Sequence, residues 1–318
     1  MALYVVTGGA GFIGSHLVEA LVGRGDRVRV VDDLSSGRLE NLPRQAVGEA
    51  GSEAPVELFQ GDVTERGLVR SALRGASGVF HEAAQVSVPA SMRDPEKSYR
   101  VNVLGTLNVL EAARAERVDK VVFAASSAAY GNAATLPKTE DMTPRPLSPY
   151  AAGKLAGETL LATWGRAYGL QTVALRYFNV YGPRQADDSP YSGVIALFAR
   201  RLLEGRAPTI FGDGEQSRDF VFVEDVVRAN LLALERTVES GAVINVGSGK
   251  RVTILALFQR IAELAGFDGE AEHAPARSGD VLHSLASIER ARSWLGFEPR
   301  VELGEGLRRT LDWYRARA

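Results

Sequence analysis

Short apolar, β-branched runs recur along the first part of the chain and alternate with segments in which apolar residues follow a helical spacing. Phe12, Ile13, Leu17 and Leu21 illustrate the helical spacing, because residues three to five positions apart fall on one helix face. The runs predict strands at Leu3–Thr7, Val28–Val31, Val56–Phe59, Val79–Phe80, Val121–Ala124 and Thr172–Leu175. This alternation predicts an α/β fold with a doubly wound parallel sheet, covered by helices on both faces.

The alternation loosens after residue 176, and Gly and Pro residues cluster at Gly182–Gly193. We therefore predict that residues 1–176 form the main sheet domain and that residues 177–318 form a smaller domain for binding substrate. Apolar runs near 220–235 and 242–247 are expected to return to the first domain, so the two domains interleave.

Composition narrows the classes of function. The chain has 318 residues, of which 45% are hydrophobic and 24% charged, as in ordinary globular proteins. Its net charge of -2 supplies no cationic field for nucleic acid or an anionic membrane. There is no cysteine and the four histidines are scattered, so we expect no thiolate nucleophile and no metal site. No basic leader and no long apolar stretch are visible, so we expect a cytoplasmic protein.

A glycine-rich sequence, TGGAGFIG, links the first strand to the first helix. Its glycines allow a tight turn and a close approach of backbone N–H groups to a pyrophosphate, which the helix N-terminus also attracts. The spacing fits GxGxxG from Gly9 and GxxGxxG from Gly8, so both patterns remain open. The second strand ends in Asp32, which is expected to bind the adenosine ribose hydroxyls and repel a 2′-phosphate. The sequence therefore predicts a Rossmann site for NAD. Asp62 is a candidate adenine contact, with a strand-end cap as the alternative.

A tyrosine and a lysine lie four residues apart in the sequence SPYAAGK. Ser148 suits an N-cap and Pro149 a first helical turn, which places Tyr150 and Lys154 on one helix face. A phenol with a pKa of about 10 needs about 4 kcal/mol of preferential phenolate stabilisation to act as a base near neutral pH. A cation about 4 Å away supplies energy of that order, and an oxidised nicotinamide adds a second positive charge. Ser126 and Ser127 end a strand at its carboxyl edge, and one of these two hydroxyls is expected to share a proton with Tyr150 and the substrate.

Seven segments of the chain resemble the extended short-chain dehydrogenase/reductase family, and most closely its UDP-glucose (UDP-galactose) 4-epimerases: TGGAGFIG, VVDDLSSG, HEAAQVSV, SSAAYG, SPYAAGK, LRYFNVYGP and SRDFVFVEDV. The resemblance implies that Tyr150 is the base, Ser126 its hydroxyl partner and Lys154 the residue that binds the nicotinamide ribose. It implies NAD contacts at Gly8, Gly11, Phe12, Ile13, Gly14, Asp32, Asp33, Asp62, Val63, Ala83, Asn102, Lys154 and Tyr177. Contacts with a UDP-sugar are expected at Ser87, Ser126, Ser127, Tyr150, Asn179, Val194, Arg218, Arg277, Asp280 and Ser284.

The implied reaction is epimerisation at C4 of a UDP-hexose through a transient 4-keto sugar, with NAD oxidised at the end as at the start. The second domain must then hold UDP while the hexose turns over. The resemblance also implies a homodimer, built from the Tyr150 helix and the helix after Asn102. The apolar residues of the latter helix are Val103, Leu107, Val109, Leu110 and Ala113.

Other sugar-nucleotide enzymes of the family are alternatives. The 4,6-dehydratases and the decarboxylases carry an acid just after the catalytic hydroxyl, where this chain has Ser127 and two alanines, so elimination lacks a general acid. UDP-glucuronate 4-epimerases usually replace the asparagine that this chain keeps as Asn179, which favours a neutral hexose. Ser284 stands where hexose-specific members carry a bulky aromatic residue, so turnover of UDP-GlcNAc and UDP-GalNAc is predicted as well.

Two further alternatives belong to other classes of protein. One is a non-catalytic NAD-binding protein, against which the intact Ser126, Tyr150 and Lys154 argue. The other is an ordinary dehydrogenase that releases NADH, which a steady rise of absorbance in the presence of substrate would reveal.

Overall fold

The computed structural model describes residues 1–43, 46–187, 193–276 and 281–317. Within these ranges the strands are β1 (Leu3–Thr7), β2 (Arg27–Asp32), β3 (Val47–Glu49), β4 (Val56–Gln60), β5 (Gly78–His81), β6 (Lys120–Ser126), β7 (Gln171–Tyr177), β8 (Asn179–Tyr181), β9 (Thr209–Phe211), β10 (Ser217–Phe222), β11 (Ala242–Val246), β12 (Arg251–Thr253) and β13 (Glu272–Ala274). The α-helices are α1 (Phe12–Gly23), α2 (Arg66–Leu73), α3 (Val88–Arg93), α4 (Pro95–Tyr99), α5 (Thr106–Ala115), α6 (Pro149–Tyr168), α7 (Val194–Leu203), α8 (Val223–Glu235), α9 (Ile254–Ala265) and α10 (Leu303–Arg315).

An eight-stranded parallel sheet forms the centre of the molecule, in the order β11-β7-β6-β5-β1-β2-β4-β3. All six strands predicted from the apolar runs lie in this sheet. Strands β2, β3 and β4 extend the sheet on one side of β1, and the chain then crosses to β5 on the other side. This change of direction creates a crevice at the carboxyl ends of the strands, where open α/β sheets bind ligands. The α/β prediction is confirmed.

Helices cover both faces of the sheet, and each face has its own apolar core. One core joins the sheet to α1 and α8 through fully buried side chains such as Leu17, Leu21, Val226 and Ala229. The other core joins the sheet to α2, α5 and α6 through Val69, Leu73, Leu110 and Leu161. Each of these side chains gains about 1.5–3 kcal/mol from burial, with the alanine gaining less.

The C-terminal part of the chain is divided between the two domains. Strand β11 joins the main sheet beside β7, and α8 packs on α1. Strand β10 does not return to the main sheet, contrary to the expectation for the apolar run that begins at residue 220. It pairs with β8 and β12 in a separate three-stranded sheet. Phe220 and Phe222 are buried there with side chains of α9 and α10, while Val221, on the other face, belongs to the core of α1 and α8.

A third apolar core holds the smaller domain together. Helices α7, α9 and α10 pack around it with strand β10, through Phe198, Leu257, Phe258 and Leu311. A two-stranded pairing of β9 with β13 lies outside the three-stranded sheet. No helix within the described ranges is long and apolar enough to span a bilayer.

A buried ion pair joins the longest helix to the sheet. Arg176 of β7 donates from Nε and Nη2 to the two carboxylate oxygens of Glu158 on α6, at 2.8 and 2.7 Å. Both side chains are almost fully buried, at 3% and 5% exposure, and the ring of Tyr130 lies 4.7 Å from the guanidinium carbon. Because removal of one partner leaves an uncompensated buried charge, such a pair costs about 3–5 kcal/mol to break. The pair therefore fixes the rotation of α6 about its axis.

Candidate active site

A cavity of about 990 Å³ opens at the carboxyl edge of the main sheet, bounded on its far side by residues of α7 and α10. It lies at the upper end of the volumes that small-molecule and cofactor sites occupy, about 300–1,000 Å³. Nearly all of the predicted cofactor-binding residues line it: Gly8, Gly11, Phe12, Ile13, Gly14, Asp32, Asp33, Asp62, Val63, Ala83, Lys154 and Tyr177. The predicted sugar-binding residues that line it are Ser87, Ser126 and Tyr150.

The turn between β1 and α1 has the shape that a pyrophosphate requires. Gly8 has a φ of +67°, and a Cβ there would lie 2.7 Å from the backbone nitrogen of Ala83. A Cβ at Gly14 would lie 2.1 Å from the carbonyl oxygen of Gly8, so only glycine allows α1 to pack this closely. Helix α1 begins after Gly11 without a side-chain cap and without an acidic residue in its first turn. Its first N–H groups are thus available to an anion at the cavity wall.

Acidic residues line the cavity beside the glycine-rich turn. The carboxylate of Asp32 accepts hydrogen bonds from the backbone N–H groups of Ala10 and Leu34, both at 2.9 Å. Burial raises the pKa of Asp32, and these two hydrogen bonds oppose the rise. Asp32 therefore joins β2 to the glycine-rich turn as well as facing the cavity. Asp62 accepts from the backbone N–H of Thr64 at 2.8 Å, so its role as a strand-end cap is real and its adenine contact stays a prediction.

Tyr150 and Lys154 lie on α6, whose N-terminus is formed as predicted. Ser148 is the N-cap and accepts from the backbone N–H of Ala151 at 3.2 Å, and Pro149 is the first helical residue. The ammonium of Lys154 is 3% exposed and donates to the carbonyl oxygen of Ala124 at 2.7 Å. This contact holds Lys154 at the end of β6.

Ser126 ends strand β6 and begins the short 3₁₀ turn Ser127–Tyr130. Its hydroxyl oxygen accepts from the backbone N–H of Ala128 at 3.2 Å, which orients it at the cavity. The hydroxyl also forms a hydrogen bond with Tyr150, and this bond lowers the pKa of the phenol. The structure thus brings Ser126, Tyr150 and Lys154 together in one cavity.

The electrostatics of Tyr150 differ from the expectation based on the Tyr150–Lys154 spacing. Burial raises the pKa of Tyr150 above its ordinary value, the bond to Ser126 opposes the rise, and the nearby negative charge of Glu82 adds to it. The chain by itself therefore keeps Tyr150 protonated near neutral pH, and a low pKa requires a further positive charge.

Asn102 is the one predicted cofactor residue that does not line the cavity. It is 2% exposed, and its amide pairs with the backbone of Gln85, accepting from the N–H at 2.9 Å and donating to the carbonyl oxygen at 3.1 Å. Asn102 thus shapes the loop after β5, and Gln85 of that loop lines the cavity.

Several predicted sugar-binding residues lie outside the cavity lining: Ser127, Asn179, Val194, Arg218 and Ser284. The side-chain amide of Asn179 donates to the carbonyl oxygen of Asp219 at 3.1 Å, and Arg218 donates to that of Ser217 at 3.0 Å. The backbone N–H of Ser284 donates to the same Ser217 oxygen, also at 3.0 Å, which places Ser284 beside β10. Arg277 and Asp280 lie outside the described residues.

Sequence reasoning missed Glu82. It follows β5 directly, lines the cavity, and its carboxylate accepts from the hydroxyl of Tyr177 at 2.8 Å. The signal was present in the sequence HEAAQVSV, because a carboxyl group directly after an apolar strand faces the ligand edge of a parallel sheet. No group of three or more His, Asp or Glu residues in the described part of the chain is arranged to hold a metal ion.

Comparison with known proteins gives a consistent picture. The model of the NAD dependent epimerase/dehydratase family matches residues 4–247. The UDP-glucose 4-epimerase of Mycolicibacterium smegmatis is 42% identical over 98% of both chains. The UDP-glucose 4-epimerase of Thermotoga maritima, solved with UDP-glucose, superposes with a TM-score of 0.93 at 40% identity and covers 99% of both chains. A UDP-N-acetylglucosamine 4-epimerase of Methanobrevibacter ruminantium, solved with UDP-N-acetylmuramic acid, superposes with a TM-score of 0.93 at 39% identity, covering 100% of this chain and 99% of that one.

Gly11→Ala tests whether the turn before α1 binds the cofactor. The Cβ would lie 3.1 Å from the Gly8 oxygen at the cavity wall, and the backbone of Gly11 suits alanine, so the fold should survive. We expect NAD affinity to fall at least about tenfold, because the methyl group occupies the approach of a pyrophosphate. The measurement is NAD binding by calorimetry, with unfolding temperature as the check on folding.

Gly23→Ala is the matched control, since Gly23 ends the same helix and a Cβ there would meet nothing within 4 Å. It should bind NAD like the parent. Equal NAD affinity for a folded Gly11→Ala variant would show that the pyrophosphate does not lie on this turn.

Proposed function

The chain belongs to the NAD dependent epimerase/dehydratase family, and we propose that it is a 4-epimerase that interconverts UDP-glucose and UDP-galactose. The observation that carries the proposal is the joint position of Ser126, Tyr150 and Lys154 in a cavity that also contains the dinucleotide turn. The high identity to UDP-glucose 4-epimerases over nearly the full length supports the same reaction.

The cavity fits NAD by the chemistry of its walls. The uncapped N-terminus of α1 suits the pyrophosphate, and the carboxylate of Asp32 suits ribose hydroxyls and disfavours a 2′-phosphate. Lys154, which donates to the Ala124 carbonyl near the end of β6, is proposed to bind the nicotinamide ribose. When bound, NAD supplies the acceptor for the hydride of the sugar C4 and gives the hydride back. Its positive charge is also the kind of charge that the Tyr150 phenol lacks in the chain alone.

The residues of this chain handle the proton. As phenolate, Tyr150 would take the proton from the O4 hydroxyl of the sugar as C4 becomes a ketone, and Ser126 shares a hydrogen bond with the Tyr150 oxygen. After the 4-keto sugar has turned over, Tyr150 returns the proton to O4. Proton and hydride are both restored, so the reaction needs no external oxidant and no exchange of cofactor.

The surroundings of Ser126 favour epimerisation over elimination. The residues after it are Ser127, Ala128 and Ala129, none of which is an acid that could protonate a leaving 6-hydroxyl. The carboxyl group of Glu82 lines the cavity, but the Tyr177 hydroxyl already donates to it. A dehydratase and a decarboxylase are therefore disfavoured.

Tyr150→Phe tests the base directly. The change removes the hydroxyl that takes the proton, so we expect the rate of UDP-galactose conversion to fall at least about a thousandfold while the fold and NAD binding remain. The assay is incubation with UDP-galactose without added cofactor, followed by chromatography for UDP-glucose. Tyr168→Phe is the matched control, because Tyr168 ends the same helix with 53% exposure.

Two results would contradict the proposal. Conversion by Tyr150→Phe at the rate of the parent would exclude Tyr150 as the base. Steady accumulation of NADH at 340 nm with the parent protein would identify a dehydrogenase instead.

The same site is proposed to accept N-acetylated sugars. Ser284 is a small residue held beside β10, and the chain is as similar to a UDP-N-acetylglucosamine 4-epimerase as to UDP-glucose 4-epimerases. A small side chain there leaves room for an N-acetyl group at C2 of the sugar.

Ser284→Tyr tests this proposal. We expect UDP-GalNAc turnover to fall at least about tenfold relative to UDP-galactose turnover, because the aromatic ring fills the space for the N-acetyl group. Ser287→Tyr in the same segment is the control for bulk alone. Unchanged N-acetyl turnover in Ser284→Tyr would refute Ser284 as the gate.

We also propose that the protein is a homodimer and acts in the cytoplasm. Among the apolar residues expected at the dimer contact, Val109, Leu110 and Ala113 are fully buried in the core of the protomer and are not available. Val103 and Leu107, the other two residues expected there, are partly exposed, and Leu104 beside them is 37% exposed. These residues support a contact through the outer face of α5.

Leu104→Glu tests the dimer. A charge on this face should convert the dimer to a monomer in sedimentation equilibrium, because burying an unpaired carboxylate in an interface is costly. Leu39→Glu, at a residue with 49% exposure elsewhere on the surface, should leave the mass unchanged. A Leu104→Glu protein that remains a dimer would exclude this face.

A further inference from the structure

Glu82 is a carboxyl group in the cavity that the reaction described above does not use. Its backbone N–H donates to the carbonyl oxygen of Thr7 at 3.1 Å, which fixes the residue at the switch point between β1 and β5. Its Oε1 accepts from the hydroxyl of Tyr177 at 2.8 Å. That hydroxyl in turn accepts from the side-chain amide of Asn230 at 2.7 Å, and the amide also donates to the carbonyl oxygen of Val226 at 2.9 Å. The carboxyl group is thus oriented by a chain of hydrogen bonds that reaches α8.

The titratable groups that face Glu82 come from the neighbouring elements of the site. Tyr177 lies on β7, and Lys154 and Tyr150 lie on α6. His81 is the last residue of β5 and directly precedes Glu82. It is neutral near pH 7, because burial lowers its pKa to about 3. Among these described groups Lys154 is the cation. Strands β5 and β6 pair His81 with Phe123, so the next residues along, Glu82 and Ala124, are neighbours at the sheet edge. Lys154 donates to the carbonyl oxygen of that Ala124, and Glu82 and Lys154 line the same cavity.

Lys154 occupies an unfavourable place for a charge. It is 3% exposed, it donates to the Ala124 carbonyl, and the centroid of the Phe123 ring lies 4.8 Å from its Nζ. Burial lowers the pKa of Lys154 to about 8, and the charge of Glu82 opposes the fall. Burial raises the pKa of Glu82 to about 7, against the effects of the Tyr177 hydrogen bond and the charge of Lys154. Each of the two groups stabilises the charged form of the other.

We propose, on the basis of the epimerase function above, that Glu82 is a positioning residue: its carboxylate, oriented by Tyr177, is the buried counter-charge that keeps Lys154 an ammonium at the cofactor site. The same negative charge also acts on Tyr150 and holds the phenol in its protonated form. Glu82 therefore governs the protonation of the two groups on α6 without touching the substrate.

Glu82→Gln separates the charge of Glu82 from its shape, because glutamine keeps the size and can still accept from Tyr177. With the negative charge removed, the pKa of Lys154 should fall by about one pH unit, since an opposite charge at close range shifts a pKa by about 1–3. The chain has five lysines, so ¹³C-labelled lysine gives few signals, and the Lys154 signal is assigned by its loss in Lys154→Met. The readout is an NMR titration of the NAD-loaded enzyme.

The pH dependence of epimerisation should shift in the same direction as the pKa of Lys154. Activity that requires the Lys154 ammonium is lost as pH rises through its pKa. The alkaline limb of the kcat profile for UDP-galactose should therefore move to lower pH by the same amount in Glu82→Gln. Below about pH 6 both proteins carry an uncharged side chain at this position, so their profiles should converge.

Glu57→Gln is the matched control. Glu57 is another buried carboxylate of the same sheet, 2% exposed, but it pairs with Arg27 and Arg29 away from the cavity. Its removal should lower stability and leave both the Lys154 titration and the pH profile unchanged.

Tyr177→Phe is the second variant, for use if Glu82→Gln does not fold. Loss of the donor that favours the charged carboxylate should lower the pKa of Lys154 in the same direction by a smaller amount.

The possible failures can be told apart. An unchanged Lys154 titration in folded Glu82→Gln, or a changed titration with an unchanged pH profile, would overturn the proposal for Glu82. A parent protein that does not epimerise UDP-galactose at any pH would overturn the proposed function, and the NMR titration would still report on Glu82 and Lys154.

Discussion

The position of helix α6 against strands β6 and β7 is the constraint on which the site depends. Tyr150, Lys154 and Glu158 follow one another at four-residue spacing, so they lie along one face of the helix. Glu158 is bound to Arg176 of β7, and Lys154 to the Ala124 carbonyl of β6. With these two contacts fixed, Tyr150, which lies one turn nearer the helix N-terminus, reaches the cavity. A rotation of α6 by a single residue, about 100°, would break both contacts and remove Tyr150 from Ser126.

A second constraint organises the smaller domain. Asp219 of β10 is fully buried, and its carboxylate accepts from the backbone N–H groups of Ser248, Gly249 and Ala286 at 2.7 to 3.1 Å. One side chain thus joins β10 to the glycine-rich turn after β11 and to the segment that follows the undescribed residues 277–280. Since Arg218 and Ser284 belong to the same connected segments, their relative position depends on Asp219. The positions of these two predicted sugar-binding residues therefore depend on a carboxylate that lies outside the cavity lining.

Structural features that depend on local patterns could be predicted from the sequence. The six core strands, the glycine-rich turn and the capped start of α6 at Ser148 each depend on residues close together in the chain. The placement of β10 could not be predicted in this way, because an apolar run does not reveal which of two cores it packs against. The same limit applies to Asn102, whose amide pairs with the backbone of Gln85, seventeen residues earlier in the chain. Glu82 shows a different limit. Its position directly after an apolar strand is visible in the sequence, but its partners Tyr177 and Lys154 come from elements distant in sequence.

The protonation of Tyr150 links cofactor binding to chemistry. The four-residue spacing suggested that Lys154 alone could favour the phenolate, but burial outweighs the contributions of this chain and raises the pKa of Tyr150. Lys154 is itself balanced by Glu82, so the pair adds little net charge to the cavity. A cationic nicotinamide would then be the uncompensated positive charge beside the phenol, and it is positive only in the oxidised state that can accept a hydride. In the proposed mechanism, Tyr150 would become a competent base when oxidised NAD is bound and would hold its proton more firmly with the reduced cofactor. Such an arrangement favours return of both proton and hydride to the same sugar, as an epimerase requires.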